Sequence, residues 1–102
     1  MAFGITRQEL NEWKQASREG QIAFLTHYWL HPKDPTIQTV TKVACADLDE
    51  LVKWGSRYGL RKEWIHRRPS YSHFDLIGAK QIEVLHKEQL TDHIKRFNMT
   101  TD

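Results

Sequence analysis

Two prolines, Pro32 and Pro35, constrain the fold of this chain most strongly, because they interrupt its apolar first half. Each proline lacks an amide donor and biases the residue before it away from helix. Residues 21–30 are apolar at both odd and even positions, which predicts a central strand covered on both faces. Residues 36–44 are rich in β-branched side chains and alternate in polarity, which predicts a second strand. The chain is therefore expected to contain a sheet.

Helix signals lie on both sides of these strands. Thr6 and Glu9 have the spacing of a capping box and predict a first helix over residues 6–19. Asp47 and Glu50 have the same spacing and predict a second helix. Further elements are expected at residues 62–66 and 72–76 (short strands), after Gly78 (a third helix) and from Thr91 (a last helical turn). This order predicts an α+β (mixed α/β) fold, with a small sheet of three to four strands flanked by three to four helices.

Length and composition limit the classes of protein that fit. A chain of 102 residues with 39% hydrophobic residues suits a single domain over residues 1–102. No apolar stretch approaches the roughly 20 residues of a membrane span. Residues 1–5 show neither the basic nor the apolar region of a signal peptide, so no signal peptide is expected there. Cys45 is the single cysteine and cannot form an intrachain disulfide, which fits a cytoplasmic protein.

The positive charge of the chain is local. The formal net charge is only +2, which argues against nucleic acid as a partner. The segment Arg61–Arg68 nevertheless holds four basic residues against Glu63 alone. This basic patch leaves open a nucleic-acid or protein interaction module as an alternative function. A homodimer is also left open, because the edge strands of so small a sheet need cover.

Four histidines lie in or beside the predicted strands: His27, His31, His66 and His73. Asp75 follows His73 at a spacing of two, and such residues project from one face of a strand about 6.6 Å apart. Strands brought together by the sheet would form a polar cleft. Its expected ligand-binding residues are His27, Trp29, His31, Trp64, His66, Arg67, Arg68, Tyr71, His73 and Asp75.

Three interpretations compete for this set of side chains. In the preferred one, the cleft binds an anionic, phosphorylated or nucleotide-like small molecule, because arginine matches phosphate geometry and aromatic faces accept a base. In the second, His and Asp ligands hold a metal ion in a hydrolase. In the third, His73 and Asp75 only satisfy each other's hydrogen bonds.

Signals for catalysis are weak. The H-x-D spacing occurs once and H-E-x-x-H is absent, so no metal and no cofactor are expected. Cys45 stands beside Asp47 and other carboxylates, which favours an inert structural thiol over a nucleophile. Catalytic residues are not assigned, and enzymatic activity stays open.

Two stretches of the chain carry a resemblance. Residues 23–32 (AFLTHYWLHP) and 58–66 (YGLRKEWIH) resemble the YneQ-like proteins of bacilli, over nearly the whole chain. Residues 59–76 are also similar to a wider bacterial domain of unknown function with a Gly-Leu-basic stretch followed by His-[Phe/Tyr]-Asp. The resemblance implies a bacterial or phage-encoded protein. It also implies that His73, Phe74 and Asp75 belong to a recurring module, and it supplies no activity.

Overall fold

The computed structural model describes residues 4–99. Within that range it contains four α-helices, three strands and one short 3-10 helix. In chain order these are α1 (Arg7–Arg18), β1 (Ala23–Tyr28), β2 (Thr39–Ala44), α2 (Leu48–Ser56), the 3-10 helix (Lys62–Trp64), β3 (His73–Leu76), α3 (Gly78–Lys87) and α4 (Thr91–Arg96). The strands form one antiparallel sheet in the order β1-β2-β3. The predicted α+β class is confirmed.

Local capping explains where the first two helices begin. The Thr6 hydroxyl accepts the amide of Glu9 at 3.1 Å, and the Glu9 carboxylate accepts the amide of Thr6 at 2.9 Å. This reciprocal pair is the predicted capping box. The Asp47 carboxylate accepts the amide of Glu50 at 3.2 Å and caps α2. Gly20 follows α1 with a φ of +83°, a conformation that glycine adopts without steric cost.

The position of β1 in the sheet differs from the prediction. A central strand is predicted over residues 21–30, but β1 lies at the sheet edge and β2 at the centre. The predicted cover on both faces is correct, since Leu25, Thr26 and His27 are all buried. Periodicity reports which side chains are covered, whereas strand order depends on which strands pair. A strand can therefore be covered on both faces and still lie at an edge.

The strand predicted at residues 62–66 is also wrong. Lys62–Trp64 forms a 3-10 helix, and the amide of Ile65 donates to the Lys62 carbonyl at 3.2 Å. All three residues of this helix are exposed, so no buried face required an extended strand there. His66 alone of this segment pairs with β3, through an isolated antiparallel bridge to His73. The strand predicted at residues 72–76 is confirmed as β3.

The backbone contacts of the chain fall into two compact units. The α1–α2 unit comprises Thr6–Leu25 and Lys42–Asp75, and the α3–α4 unit comprises Thr26–Thr41 and residues 76–99 together with Gly4 and Ile5. A single domain over residues 1–102 stays a prediction. Among the residues that the structure describes, no helix is both long enough and apolar enough to cross a membrane.

Aromatic packing fills the interior of the α1–α2 unit. The Trp54 ring lies 5.6 Å from the Phe24 ring and 6.1 Å from the Phe74 ring, measured between centroids. Trp13 donates its indole N–H to the Ala23 carbonyl at 3.1 Å. Both tryptophans are buried, so they are packing residues of this unit. Large aromatic side chains contribute much of the buried area of a small core.

The α3–α4 unit has a mixed interior. Val84 and Leu85 of α3 are fully buried, and Phe97 packs edge-on against Tyr28 with 4.8 Å between ring centroids. Buried hydroxyls also lie in this unit, and each of them is hydrogen-bonded. Buried polar groups in native proteins are nearly always paired in this way.

Candidate functional site

A cluster of three ionisable side chains lies at the surface of the α1–α2 unit. We call His66, His73 and Asp75 the histidine–aspartate cluster. The Asp75 carboxylate lies between the two imidazoles, with Oδ2 3.2 Å from His66 Nε2 and Oδ1 3.6 Å from His73 Nε2. The two imidazole rings are stacked, with 5.3 Å between their centroids.

The backbone explains why these three side chains meet. His73 and Asp75 are two residues apart on β3 and project from one face of the strand, as predicted from their spacing. His66 reaches the same face because its backbone forms the isolated bridge with His73, through hydrogen bonds of 2.8 and 3.0 Å. The convergence of His73 with Asp75 is therefore confirmed, and His66 joins them.

The protonation of His73 follows from its neighbours. Its Nδ1 lies 2.8 Å from the Tyr71 carbonyl, and a carbonyl only accepts, so Nδ1 carries the proton. Burial lowers the pKa of His73, against the Tyr71 hydrogen bond and the Asp75 charge, which both raise it. The charges of Lys42 and His66 lower it further. Neutral His73 thus presents a bare Nε2 towards Asp75.

Tyr71, which is predicted to stack against the ligand, is in contact with side chains of α1. Its ring stacks on Trp13 at a centroid distance of 6.0 Å, and its hydroxyl accepts Arg18 Nη1 at 2.7 Å. Lys14 Nζ lies 5.8 Å from the centre of the same ring. Two basic side chains, Lys14 and Arg18, therefore lie next to Tyr71, and Trp13 covers part of one face of its ring.

The predicted arginines and tryptophan of this unit are exposed. Arg67, Arg68 and Trp64 all lie at the surface, and the Trp64 side chain is 54% exposed. Arg68 Nη1 donates to the Arg67 carbonyl at 2.7 Å. The backbone of Arg68 exchanges two hydrogen bonds with the Ser72 hydroxyl, at 3.1 and 3.0 Å. These two bonds close the turn that precedes β3.

His27, Trp29 and His31, the other three predicted ligand-binding residues, belong to the α3–α4 unit. His27 is buried, and its Nδ1 lies 2.9 Å from the Tyr28 carbonyl. Trp29 is 39% exposed, and its ring meets the His31 ring edge-on at 5.4 Å between centroids. His31 Nδ1 also accepts the amides of two following residues, at 3.0 and 3.1 Å. The structure thus describes two separate groups of predicted site residues, one in each unit.

Several groups relevant to the site carry weak sequence signals. Lys14 and Arg18 of α1 and Lys42 of β2 contribute positive charge near Tyr71 and His73. They lie far from the basic segment in sequence, and a single lysine or arginine on a helix usually faces water. The i, i+4 spacing of Lys14 and Arg18 was the available signal, since it places both on one helix face.

The geometry can be compared with two possible kinds of chemistry, a bound metal ion and a nucleophilic cysteine. Within residues 4–99, no group of three or more His, Cys, Asp or Glu side chains is arranged to hold a metal ion. Cys45 is a free, fully buried thiol, and burial raises its pKa. A hydrogen bond from the Asp47 backbone lowers the pKa, whereas the charges of Asp47 and Glu50 raise it. A thiol with a raised pKa is a poor nucleophile. The expectation of an inert structural Cys45 fits this environment.

These features define a small α+β protein with a surface histidine–aspartate cluster, in which His66 is followed in sequence by two exposed arginines. The chain is 58% identical over 99 residues to the uncharacterized protein YneQ of Bacillus subtilis (strain 168), a match that covers 97% of this chain and 100% of that relative. The chain therefore belongs to the YneQ family. No family model matches the chain. No solved structure matches it either.

Proposed function

We propose that the protein binds an anionic small molecule, phosphorylated or nucleotide-like, at the histidine–aspartate cluster and its neighbouring arginines. One observation carries this proposal: the exposed Arg67 guanidinium makes no hydrogen bond and no ion pair with residues 4–99, although it adjoins His66 in sequence. Arginine pairs with phosphate through two parallel N–H···O bonds, so an unpaired guanidinium at this place suits an anionic group.

The cluster itself favours a ligand that also carries hydrogen-bond donors. Neutral His73 offers a bare Nε2, and the Asp75 carboxylate offers only acceptors. His73 Nε2 and Asp75 Oδ1 lie 3.6 Å apart, farther than a hydrogen bond spans, and with neutral His73 both atoms are acceptors. A sugar hydroxyl or an amine supplies the missing proton. A phosphate on Arg67 and a hydroxyl on Asp75 together describe a sugar phosphate or a nucleotide.

Trp64 adds a third contact for such a ligand. Its side chain is 54% exposed, and it stands two residues before His66. An exposed tryptophan face is a stacking surface for a nucleobase, and such stacking contributes about 1–3 kcal/mol per base in proteins that bind single strands. We therefore assign the base to Trp64, the phosphate to Arg67 with Arg68, and the sugar to Asp75 with His73.

The proposal is binding without turnover. Cys45 is buried with a raised pKa, and the hydroxyls of Ser17 and Ser72 donate to backbone carbonyls at 2.9 and 3.0 Å. An activated nucleophile needs a base within hydrogen-bond reach, and none of these three groups has one. A metal-dependent hydrolase uses a metal-bound water instead of such a nucleophile. It is the weaker alternative because no group of three or more His, Cys, Asp or Glu side chains within residues 4–99 is arranged to hold a metal ion.

Three accompanying expectations belong to the same proposal. The buried free thiol of Cys45 suits a reducing compartment, so we propose a cytoplasmic location. We also propose that residues 59–76 are related to a wider bacterial domain of unknown function, in which the cluster would be a recurring module. A homodimer through the edge strand β1 is a further prediction, which sedimentation of the purified protein checks.

Calorimetric titration tests the proposal directly. Nucleoside monophosphates and sugar phosphates are titrated at millimolar concentrations, and at least one is expected to bind. Arg67→Gln is expected to weaken that binding about tenfold or more, because a charge-assisted hydrogen bond contributes about 1.5–3 kcal/mol. Arg57→Gln is the matched control, since Arg57 is an exposed arginine of the same unit outside the cluster.

Two outcomes would contradict the proposal. The proposal is contradicted if none of the phosphorylated compounds binds. It is also contradicted if Arg67→Gln and Arg57→Gln weaken ligand binding equally. If instead a nucleic-acid fragment binds with a steep salt dependence, the interaction module of the Arg61–Arg68 patch takes its place.

A further inference from the structure

A second candidate site lies in the α3–α4 unit. It is a cleft of about 520 Å³, a volume within the range of roughly 300–1,000 Å³ that is typical of small-molecule sites. Three segments form its walls: the chain that leads into β2, the first turns of α3, and the chain after α4. The lining residues are Thr36, Ile37, Gln38, Thr39, Gly78, Ala79, Gln81, Ile82, Phe97, Asn98 and Met99.

The lining of this cleft favours a neutral ligand. None of the lining residues is ionisable, so a charged ligand would lose hydration without gaining a counter-charge. Gln38, Gln81 and Asn98 carry carboxamides, each with two donor hydrogens and an acceptor oxygen. Ile82 and Met99 supply apolar surface. Carboxamides beside apolar side chains suit a planar ring with donors and acceptors along one edge, since Asn and Gln pair with bases through two bonds.

One wall of the cleft is fixed before any ligand binds. Gln81 is only 3% exposed; its Nε2 donates to the Thr41 hydroxyl at 3.0 Å, and its Oε1 accepts the Thr39 hydroxyl at 3.2 Å. Thr41 in turn lies 2.7 Å from the hydroxyl of Thr26. Each end of the Gln81 amide thus uses one bond, which leaves one N–H and one lone pair. A pre-organised wall lowers the ordering cost of binding.

We propose that this cleft binds a neutral heterocycle of the nucleobase or nucleoside class. Asn98 and Gln38 contact the donor–acceptor edge of the ring from the open side, and Gln81 contacts it from the wall. Ile82 and Met99 cover the face of the ring. This proposal goes beyond the function proposed above, because it concerns another unit of the protein and a ligand without charge.

Saturation-transfer NMR followed by calorimetric titration tests the proposal with adenosine, cytidine, guanosine and uridine. At least one nucleoside is expected to bind, and its 5′-monophosphate is expected to bind no more tightly to Arg67→Gln, in which the arginine site is weakened. Asn98→Gly removes one carboxamide and keeps the backbone, since Asn98 has a φ of 52° that glycine adopts freely. The dissociation constant is expected to rise about tenfold, the loss of one bidentate base contact.

Gln89→Gly is the matched control, because exposed Gln89 also has a left-handed φ, of 61°, and does not line the cleft. The dissociation constant of the nucleoside is expected to be the same for Gln89→Gly as for the parent protein. Ala79→Leu fills part of the cleft and is expected to weaken binding, whereas Lys80→Leu on the same turn is outside the lining and is expected to have no effect.

The outcomes separate this proposal from the previous one. Arg67→Gln is expected to leave nucleoside binding unchanged, so failure of the arginine site leaves the cleft intact. The cleft proposal is overturned if none of the four nucleosides binds. It is also overturned if Asn98→Gly and Ala79→Leu, both folded by their NMR spectra, bind the nucleoside like the parent.

Discussion

The Nε2 atom of His66 lies 3.2 Å from Oδ2 of Asp75. His66 lies outside the named strands and forms an isolated bridge, whereas Asp75 lies on β3. The other carboxylate oxygen of Asp75 faces His73 Nε2 at 3.6 Å, and the opposite nitrogen of His73 bonds the Tyr71 carbonyl. One carboxylate thus influences two imidazoles, of which one is exposed and one is largely buried. The Asp75 charge is one of the factors that raise the pKa of His73.

Replacing Asp75 tests this dependence. In Asp75→Asn the negative charge beside His73 is lost, and an opposite charge is one of the factors that raise the pKa of His73. The pKa of His73 is therefore expected to fall further below its ordinary value. Titration of the imidazole signals by NMR from neutral to acidic pH measures the change. Asp49→Asn, an exposed carboxylate of α2, is expected to leave the His73 titration unchanged. An unaltered His73 pKa in Asp75→Asn would show that the carboxylate does not act on it.

Acid is expected to destabilise the protein through His73. Burial holds the pKa of His73 below 6.5, the ordinary value that the unfolded chain keeps. The unfolded state therefore binds more protons as the pH falls through 6.5, and the free energy of unfolding decreases below that pH. Above it, the contribution of the neutral imidazole is fully present.

The variant His73→Asn isolates this contribution. Asparagine retains a donor for the Tyr71 carbonyl and does not titrate. Urea unfolding at neutral and mildly acidic pH is expected to show a smaller acid loss in His73→Asn than in the parent. His86→Asn, on the exposed part of α3, provides the control. Equal acid losses in His73→Asn and the parent would contradict the assignment.

Much of the fold could be predicted from local signals. The capping box of Thr6 with Glu9 and the alternation in residues 36–44 depend on neighbours in sequence, and both predictions are confirmed. The edge position of β1 and the 3-10 helix Lys62–Trp64 could not be predicted in this way. Strand order depends on pairing across the sheet, and a short charged segment carries no periodicity that separates a strand from a turn.

The site divides in the same manner. The meeting of His73 with Asp75 follows from the period of a strand, and it was predictable. The arrival of His66 depends on a backbone bridge across seven residues, and the approach of Arg18 to Tyr71 depends on the packing of a distant helix. Neither contact can be predicted from the spacing of residues along the sequence. The cleft lined by Gln81 has no sequence signal, because its carboxamides belong to three separate segments.

The buried hydroxyl of Thr41 is expected to stabilise the α3–α4 unit. Thr41 is fully buried, accepts Gln81 Nε2 at 3.0 Å and bonds the Thr26 hydroxyl at 2.7 Å. Thr41→Val keeps the shape and leaves the Gln81 amide without this partner, which is expected to cost about 1–3 kcal/mol. Urea unfolding measures the loss.

The double variant Thr41→Val with Gln81→Met separates an unpaired amide from a simple loss of packing. Removing both polar groups is expected to restore part of the stability, because the Gln81 amide is then no longer left without its Thr41 partner. The recovery is expected to be partial, since the buried Thr39 hydroxyl loses Gln81 Oε1 as its acceptor. If the two single losses simply add in the double variant, the hydrogen bond between the side chains is not the source of the effect.

Gly55 of α2 is required by the close approach of Phe74. A Cβ atom at residue 55 would lie 2.7 Å from two atoms of the Phe74 ring, which is itself 2% exposed and packed against Trp54. Alanine normally stabilises a helix interior by about 0.5–1 kcal/mol over glycine. Here Gly55→Ala is expected to destabilise the protein by about 1–3 kcal/mol, because overpacking outweighs the helix preference. Chemical unfolding of Gly55→Ala and of Ser56→Ala, an exposed neighbour, measures the difference.

A double variant tests whether the Phe74 ring is the cause. Adding Phe74→Leu to Gly55→Ala is expected to lower the free energy of unfolding by less than Phe74→Leu lowers it in the parent, since the smaller side chain makes room for the new methyl group. Independent, additive losses would mean that the ring does not limit residue 55.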